Sequence, residues 1–307
     1  MKSYLNRIFL AGIISLGFVA CKSGDQEFPD FEKQRVYFSK QYPVRTVELG
    51  NDDYVDLTND NDHKIVIKAT MGGAYDNPRD ITVNITADNS LCTGLKFKDT
   101  GDDVTPMPSN YYTLAANSIT IPKGEISAGV EVQLTDDFFA DELSRSRHYV
   151  IPIKMSNVSG ADEIIADKDF VLYAVNYVNR YHGVYVRQAS KTDEDDVEEE
   201  FKVTTQDLNT GLMEYPFKDA KGQAHNCVLK LNFADGTITT DDPEFVVSGT
   251  VSFVEKDENY TYGHKHPDTI HLVFSAKNLN AEINETRIMA INLKYRGVKP
   301  ETFEVTE

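Results

Sequence analysis

Ile81-Thr82-Val83-Asn84-Ile85-Thr86-Ala87 alternates apolar and polar side chains without a break. Successive side chains of an extended chain point to opposite faces, so this period of two buries Ile81, Val83, Ile85 and Ala87 and leaves the hydroxyls and the amide in water. Residues 64–69, 118–121, 130–134, 149–153 and 170–175 add five more strands, and Val36-Tyr37-Phe38 opens the series. Gly72-Gly73, Asn77-Pro78 and Lys123-Gly124 punctuate it as turns. Short strands with turns between them predict an immunoglobulin-like β-sandwich over residues 34–176. The one helical candidate there is short, around residues 138–143.

Between Asn176 and His182 the texture changes and a second β-rich series begins with Gly183-Val184-Tyr185-Val186. It continues through residues 201–204, 227–233, 245–247, 250–253, 270–274 and 288–293. Sequential strands with short links predict a meander over residues 177–307. It either closes into a lipocalin-like barrel or folds over as a sandwich. The chain is therefore read as all-β, with two domains.

Residues 1–20 have the three parts of a secretory signal: Lys2 and Arg7, an apolar stretch, and the small residue Ala20 before Cys21. The apolar stretch is about a dozen residues, against the roughly 20 a spanning helix needs. Phe18-Val19-Ala20-Cys21 fits a lipobox, with cleavage between Ala20 and Cys21 and acylation of the Cys21 thiol. Phe18 departs from the more usual Leu. Several acyl chains on Cys21 would hold the protein to a membrane, where one chain gives only marginal binding. Residues 21–33 then read as a flexible polar tether.

The formal net charge is −18, and loss of Lys2 and Arg7 with the signal takes the side chains to −20. That balance argues against nucleic-acid phosphates and suits a neutral or cationic ligand. Cys92 and Cys227 form neither a disulfide framework nor a metal motif, and no cofactor is expected. Carboxylates are too common for any pair to stand out as acid and base, so no residue is assigned a catalytic role. His264, His266 and His271 are read as residues of a polar hairpin in preference to metal ligands, and the acidic run from Asn51 to Asp62 as a solvated turn lacking the EF-hand order. Residues 193–200 repel one another and read as a mobile loop tip. With no Trp and 16 Tyr, the aromatic faces that could stack on a sugar are tyrosines. Tyr260, Tyr262 and His264 cluster on one loop, and Tyr181 and Tyr185 sit at the domain junction.

Residues 71–80, ending in Asn77-Pro78-Arg79-Asp80, together with Asn110-Tyr111-Tyr112-Thr113-Leu114, Ile119-Thr120-Ile121-Pro122-Lys123-Gly124 and Tyr149-Val150-Ile151-Pro152-Ile153, resemble an immunoglobulin-like domain of unknown function. That domain stands at the N-terminus of Bacteroidetes surface lipoproteins, many of them from polysaccharide-utilisation loci. Tyr181-His182-Gly183-Val184-Tyr185 is similar to the start of the uncharacterised β domain that follows it in such proteins. The resemblance implies an outer-membrane lipoprotein facing the cell exterior. It would bind or present a polysaccharide or oligosaccharide beside a SusC/SusD-like importer, without enzymatic activity. An adhesin or envelope subunit with a protein partner is the alternative. A (β/α)₈ hydrolase barrel does not fit, because it needs about 250 residues and alternating helices.

Overall fold

The computed structural model describes residues 33–52, 55–73, 76–187, 199–257 and 267–307. The signal segment with Ala20 and Cys21 lies outside them, as do Tyr260, Tyr262 and His264. The first twelve strands are β1 (Arg35–Tyr37), β2 (Pro43–Glu48), β3 (Lys64–Gly72), β4 (Ile81–Ala87), β5 (Lys96–Phe97), β6 (Thr105–Pro106), β7 (Tyr112–Leu114), β8 (Ser118–Ile121), β9 (Ser127–Leu134), β10 (Tyr149–Ser159), β11 (Glu163–Ile164) and β12 (Phe170–Val178). One sheet runs β11-β1-β3-β9-β7, and the facing sheet runs β2-β12-β10-β4-β8 with β6 beside β10. The period of two decides which side chains meet between them. Ile81, Val83 and Ile85 of β4 and Ile65 and Ile67 of β3 are buried in one core. The expected sandwich is present.

One end of this core is closed by aromatics. The short helix Asp136–Ala140 buries Phe138 and Phe139, and Tyr177 donates its O–H to the Phe139 carbonyl at 3.0 Å. Tyr111 and Tyr149 both donate to the Asp141 carboxylate, at 2.9 and 2.6 Å. Each buried ring thus keeps its polar atom satisfied. The helix sits slightly N-terminal to its expected place, and a 3₁₀ turn, Glu142–Arg145, follows it.

The second series is a closed barrel of β13 (Gly183–Arg187), β14 (Glu199–Thr205), β15 (Thr210–Lys218), β16 (Ala224–Asn232), β17 (Thr237–Thr239), β18 (Val246–Val254), β19 (Thr269–Asn278) and β20 (Ile283–Tyr295), with β13 pairing back onto β20. Of the two sequence alternatives, the barrel is the one formed. Eight strands give an interior just wide enough to be filled by side chains or to hold one small ligand. Aromatic side chains pack inside it: Tyr215 contacts Phe201, Phe217 and Phe274 with ring centroids 4.8 to 6.0 Å apart. Glu199 and Glu200, expected in a mobile loop, begin β14. Their charges are met by Arg187 and Lys294 across neighbouring strands. Among the described residues no helix is long and apolar enough to cross a membrane.

The last twelve residues, 296–307, leave the barrel. β21 (Glu301–Thr302) pairs with Pro43 and Val44 of β2, and β22 (Val305–Thr306) pairs with β5. Between them Phe303 is buried with Phe97, Cys92, Val104, Val150 and Leu172. The tail, assigned by its position to domain 177–307, thus completes the sandwich. Burial holds the Cys92 thiol up at about 11, helped by Asp88 nearby. Phe303→Ala should cost about 3–5 kcal/mol as a large-to-small core change. With Cys21 replaced, thiol-reagent kinetics should show Cys92 protected in the parent and reactive in the Phe303 variant, while buried Cys227 stays protected.

Candidate binding cleft at the domain junction

Four residues, Asn179 to His182, join β12 to β13, and their polar groups are tied on both sides. Asn179 is fully buried. Its amide donates to the carbonyls of Asp207 and Thr210 at 2.7 and 3.0 Å and accepts from the Tyr181 N–H at 3.1 Å. Its own N–H donates to Thr205 Oγ1 at 2.9 Å. Just past β20, Arg296 is 4% exposed. It donates to the carbonyls of Arg180, Asn179 and, across the junction, Leu49, at 2.6, 3.0 and 2.8 Å. Arg145 of the sandwich donates to the Gln206 carbonyl of the barrel. These bonds fix the two domains against each other.

Beside this interlock lies a cleft of about 400 Å³, lined by Leu49, Gly50, Asn51, Asn61 and His63 from the sandwich and by Arg180, Leu208 and Glu255. Its sandwich wall is pinned by a reciprocal pair: Asn61 donates to the Gly50 carbonyl and accepts from the Gly50 N–H, both at 2.8 Å. Gly50 has φ +104°, and a Cβ there would stand 2.7 Å from the Arg180 Cβ, so only glycine fits. His63 lies on Phe139 with ring centroids 4.1 Å apart. On the barrel wall the Arg180 guanidinium lies over the Phe253 ring at 5.1 Å and pairs with Glu255. The cleft thus presents flat polar groups whose rotamers are already fixed by packing. Their edges can donate to and accept from neighbouring hydroxyls of one ligand.

Of the tyrosines singled out in the sequence, Tyr181 is half-buried at this junction. It stacks on Phe233 at 3.6 Å and meets Phe253 edge-on. Tyr185 is 0% exposed and donates its O–H to the Tyr181 carbonyl at 2.9 Å. Its ring belongs to the barrel core and offers no face to a ligand, because its place in the alternation of β13 turns it inward. The Tyr260, Tyr262 and His264 loop lies outside the described residues, although Glu255, five residues before Tyr260, lines the cleft. Arg180, Glu255 and His63 carry no signal in the sequence, since no motif unites residues so far apart, and Asn51 and Asn61 lie in the run read as a solvated turn.

The other polar candidates have structural roles. Asp60, from the run read as a solvated turn, is buried, pairs with Arg45 and accepts the Glu48 N–H at 2.8 Å. His271 lies exposed on the outer face of β19. Among the described residues no group of three metal-ligating side chains gathers.

A family model for an N-terminal domain matches residues 31–162, and the model described as Domain of unknown function (DUF5627) matches residues 159–292. A crystal structure of a Bacteroides ovatus protein of unknown function is 39% identical, with a TM-score of 0.81, over 90% of this chain and 99% of that one. The chain belongs to that protein's family. A second Bacteroides ovatus protein of unknown function aligns over 90% of this chain and 94% of its own at 14% identity and a TM-score of 0.42. A Bacteroides ovatus protein described as a candidate carbohydrate-binding protein aligns over 85% of this chain and 98% of its own, at 9% and 0.31. Those two scores are too low to carry function across. No curated protein matches the chain.

Burial pulls the His182 imidazole down to about 4, with Arg296 and Lys202 adding to the effect. In the unfolded chain it protonates near its ordinary value of about 6.5. The unfolded state therefore binds the extra proton first as pH falls, and stability is lost between about 6.5 and about 4 and is complete above that window. The full loss is of order 3 kcal/mol. Urea unfolding of the parent and of His182→Gln at pH 7 and pH 4.5 checks this. The parent should lose more stability than the variant, the carboxylates being common to both.

Proposed function

We propose that the protein is a non-enzymatic lipoprotein, held to the outer membrane through Cys21 and facing the cell exterior. There it binds or presents glycans as an accessory to a SusC/SusD-like importer. The observation that carries the glycan reading is the junction cleft. Its walls belong to two domains locked together, and its lining is neutral overall, with Arg180 and Glu255 offsetting each other. A neutral, hydroxyl-rich ligand can hydrogen-bond to such a surface without bringing charge to a protein of −18. The aromatic cluster around Tyr215 takes up part of the interior that a lipocalin-like carrier of apolar molecules would need. The lipobox at Ala20 and Cys21 supports the address.

A glycan array on the mature protein, followed by calorimetric titration of a hit, tests the reading. Glu255→Gln and Arg180→Gln should each weaken a neutral oligosaccharide by about tenfold, the loss of one or two charge-assisted hydrogen bonds. Affinity should change little with salt. If the loop bearing Tyr260, Tyr262 and His264 shares the site, Tyr260→Ala and Tyr262→Ala will each cost on the order of 1 kcal/mol. Steep salt dependence, indifferent to all four substitutions, would favour a protein partner and the adhesin alternative. For the anchor, Cys21→Ala should abolish acyl labelling and release the protein from the membrane fraction.

A further inference from the structure

The sandwich has one open side. β3 pairs with β9 along its length, but β1 covers it only from Thr70 to Gly72. The Met71 N–H donates to the Ile126 carbonyl, and the His63 carbonyl accepts from the Leu134 N–H, which turns the odd-numbered positions of β3 toward β9. The even-numbered positions therefore face the other way, where β1 meets Thr70 and Gly72. Beyond the end of β1, the backbone N–H and C=O groups of Val66 and Lys68 face a side on which no described strand pairs.

A groove of about 360 Å³ lies along this edge. Phe38, Val44, Val171 and Tyr173 form its apolar lining, and Lys40 and Lys68 stand exposed at its sides. Neither lysine forms an ion pair among the described residues. Arg45, also on the lining, is held by Asp60, and Glu301 is the acidic group at the far wall. That wall is itself a strand addition: Glu301 and Thr302 of the tail pair with Pro43 and Val44.

We propose that this groove is a second binding site, which takes an extended acidic peptide segment of a partner protein as an added strand on the free edge of β3. Main-chain hydrogen bonds to Val66 and Lys68 would supply register, the apolar lining would receive alternate side chains, and Lys40 and Lys68 would select carboxylates. Two exposed lysines at the sides of one apolar groove, neither in an ion pair among the described residues, are complementary to an acidic segment. The site is independent of the glycan reading, since it shares no lining residue with the junction cleft.

The test uses a fluorescent peptide of alternating Glu and Val and the same peptide N-methylated at every second residue, titrated by anisotropy against the mature protein. The unmodified peptide should bind. N-methylation on the edge-facing side should weaken it about tenfold through loss of its backbone donors, and Lys40→Glu and Lys68→Glu should each weaken it about fivefold or more. Both variants carry exposed substitutions, and an unchanged Tm confirms that they fold. Absence of binding at about 1 mM peptide, the weak end of specific recognition, overturns the proposal. So does equal binding of the N-methylated peptide, which would reduce the association to charge alone.

Discussion

Arg296 carries a guanidinium into a place where 4% of its surface meets water. Burial pulls its pKa down, and the negative charges of Glu48, Asp268 and Asp52 oppose that pull. Without its three carbonyl partners the buried cation would be costly. Without the cation those carbonyls would lose a charge-assisted donor, at about 1–3 kcal/mol for each left unsatisfied. The partners come from the β2 side of the sandwich and from the linker, while Arg296 itself follows the last barrel strand. One side chain therefore joins the three segments that meet at the junction, and the cleft beside it inherits their fixed geometry.

The tail reinforces the same constraint by a different force. Phe303 buries an aromatic ring in the sandwich after the chain has completed the barrel, so the barrel is tethered at both ends to one domain. Ligand walls held by two domains bind well when little order must be gained on binding. The interlocked linker, the pinned Gly50 loop and the stacked Arg180 all reduce that cost.

Much of the fold was legible because a buried face imposes a period of two, which β3, β4 and β9 carry openly, while β10 and β12 show as short apolar runs between turns. Barrel and sandwich could not be told apart, since closure depends on β13 meeting β20 more than a hundred residues later. The tail was illegible for a local reason: Phe303 sits among Glu301, Glu304 and Glu307 and reads as part of a solvated end. Arg296, between Lys294 and Lys299, likewise reads as a surface charge until the carbonyls around it are seen. Tyr185 shows the reverse error, an aromatic noticed for its position whose strand alternation already turned it inward. The cleft escaped notice because its members are brought together only by the junction.

The two domains behave as one body through Arg296, and calorimetry of the mature protein tests this most directly. The parent should unfold in a single heat-absorption transition, with matching calorimetric and van't Hoff enthalpies. Arg296→Gln should lower the Tm and split the trace into two transitions, one for each domain. A single transition at the parent's Tm in that variant would contradict the account, because the domains would then be coupled without the residue on which the cleft is said to depend.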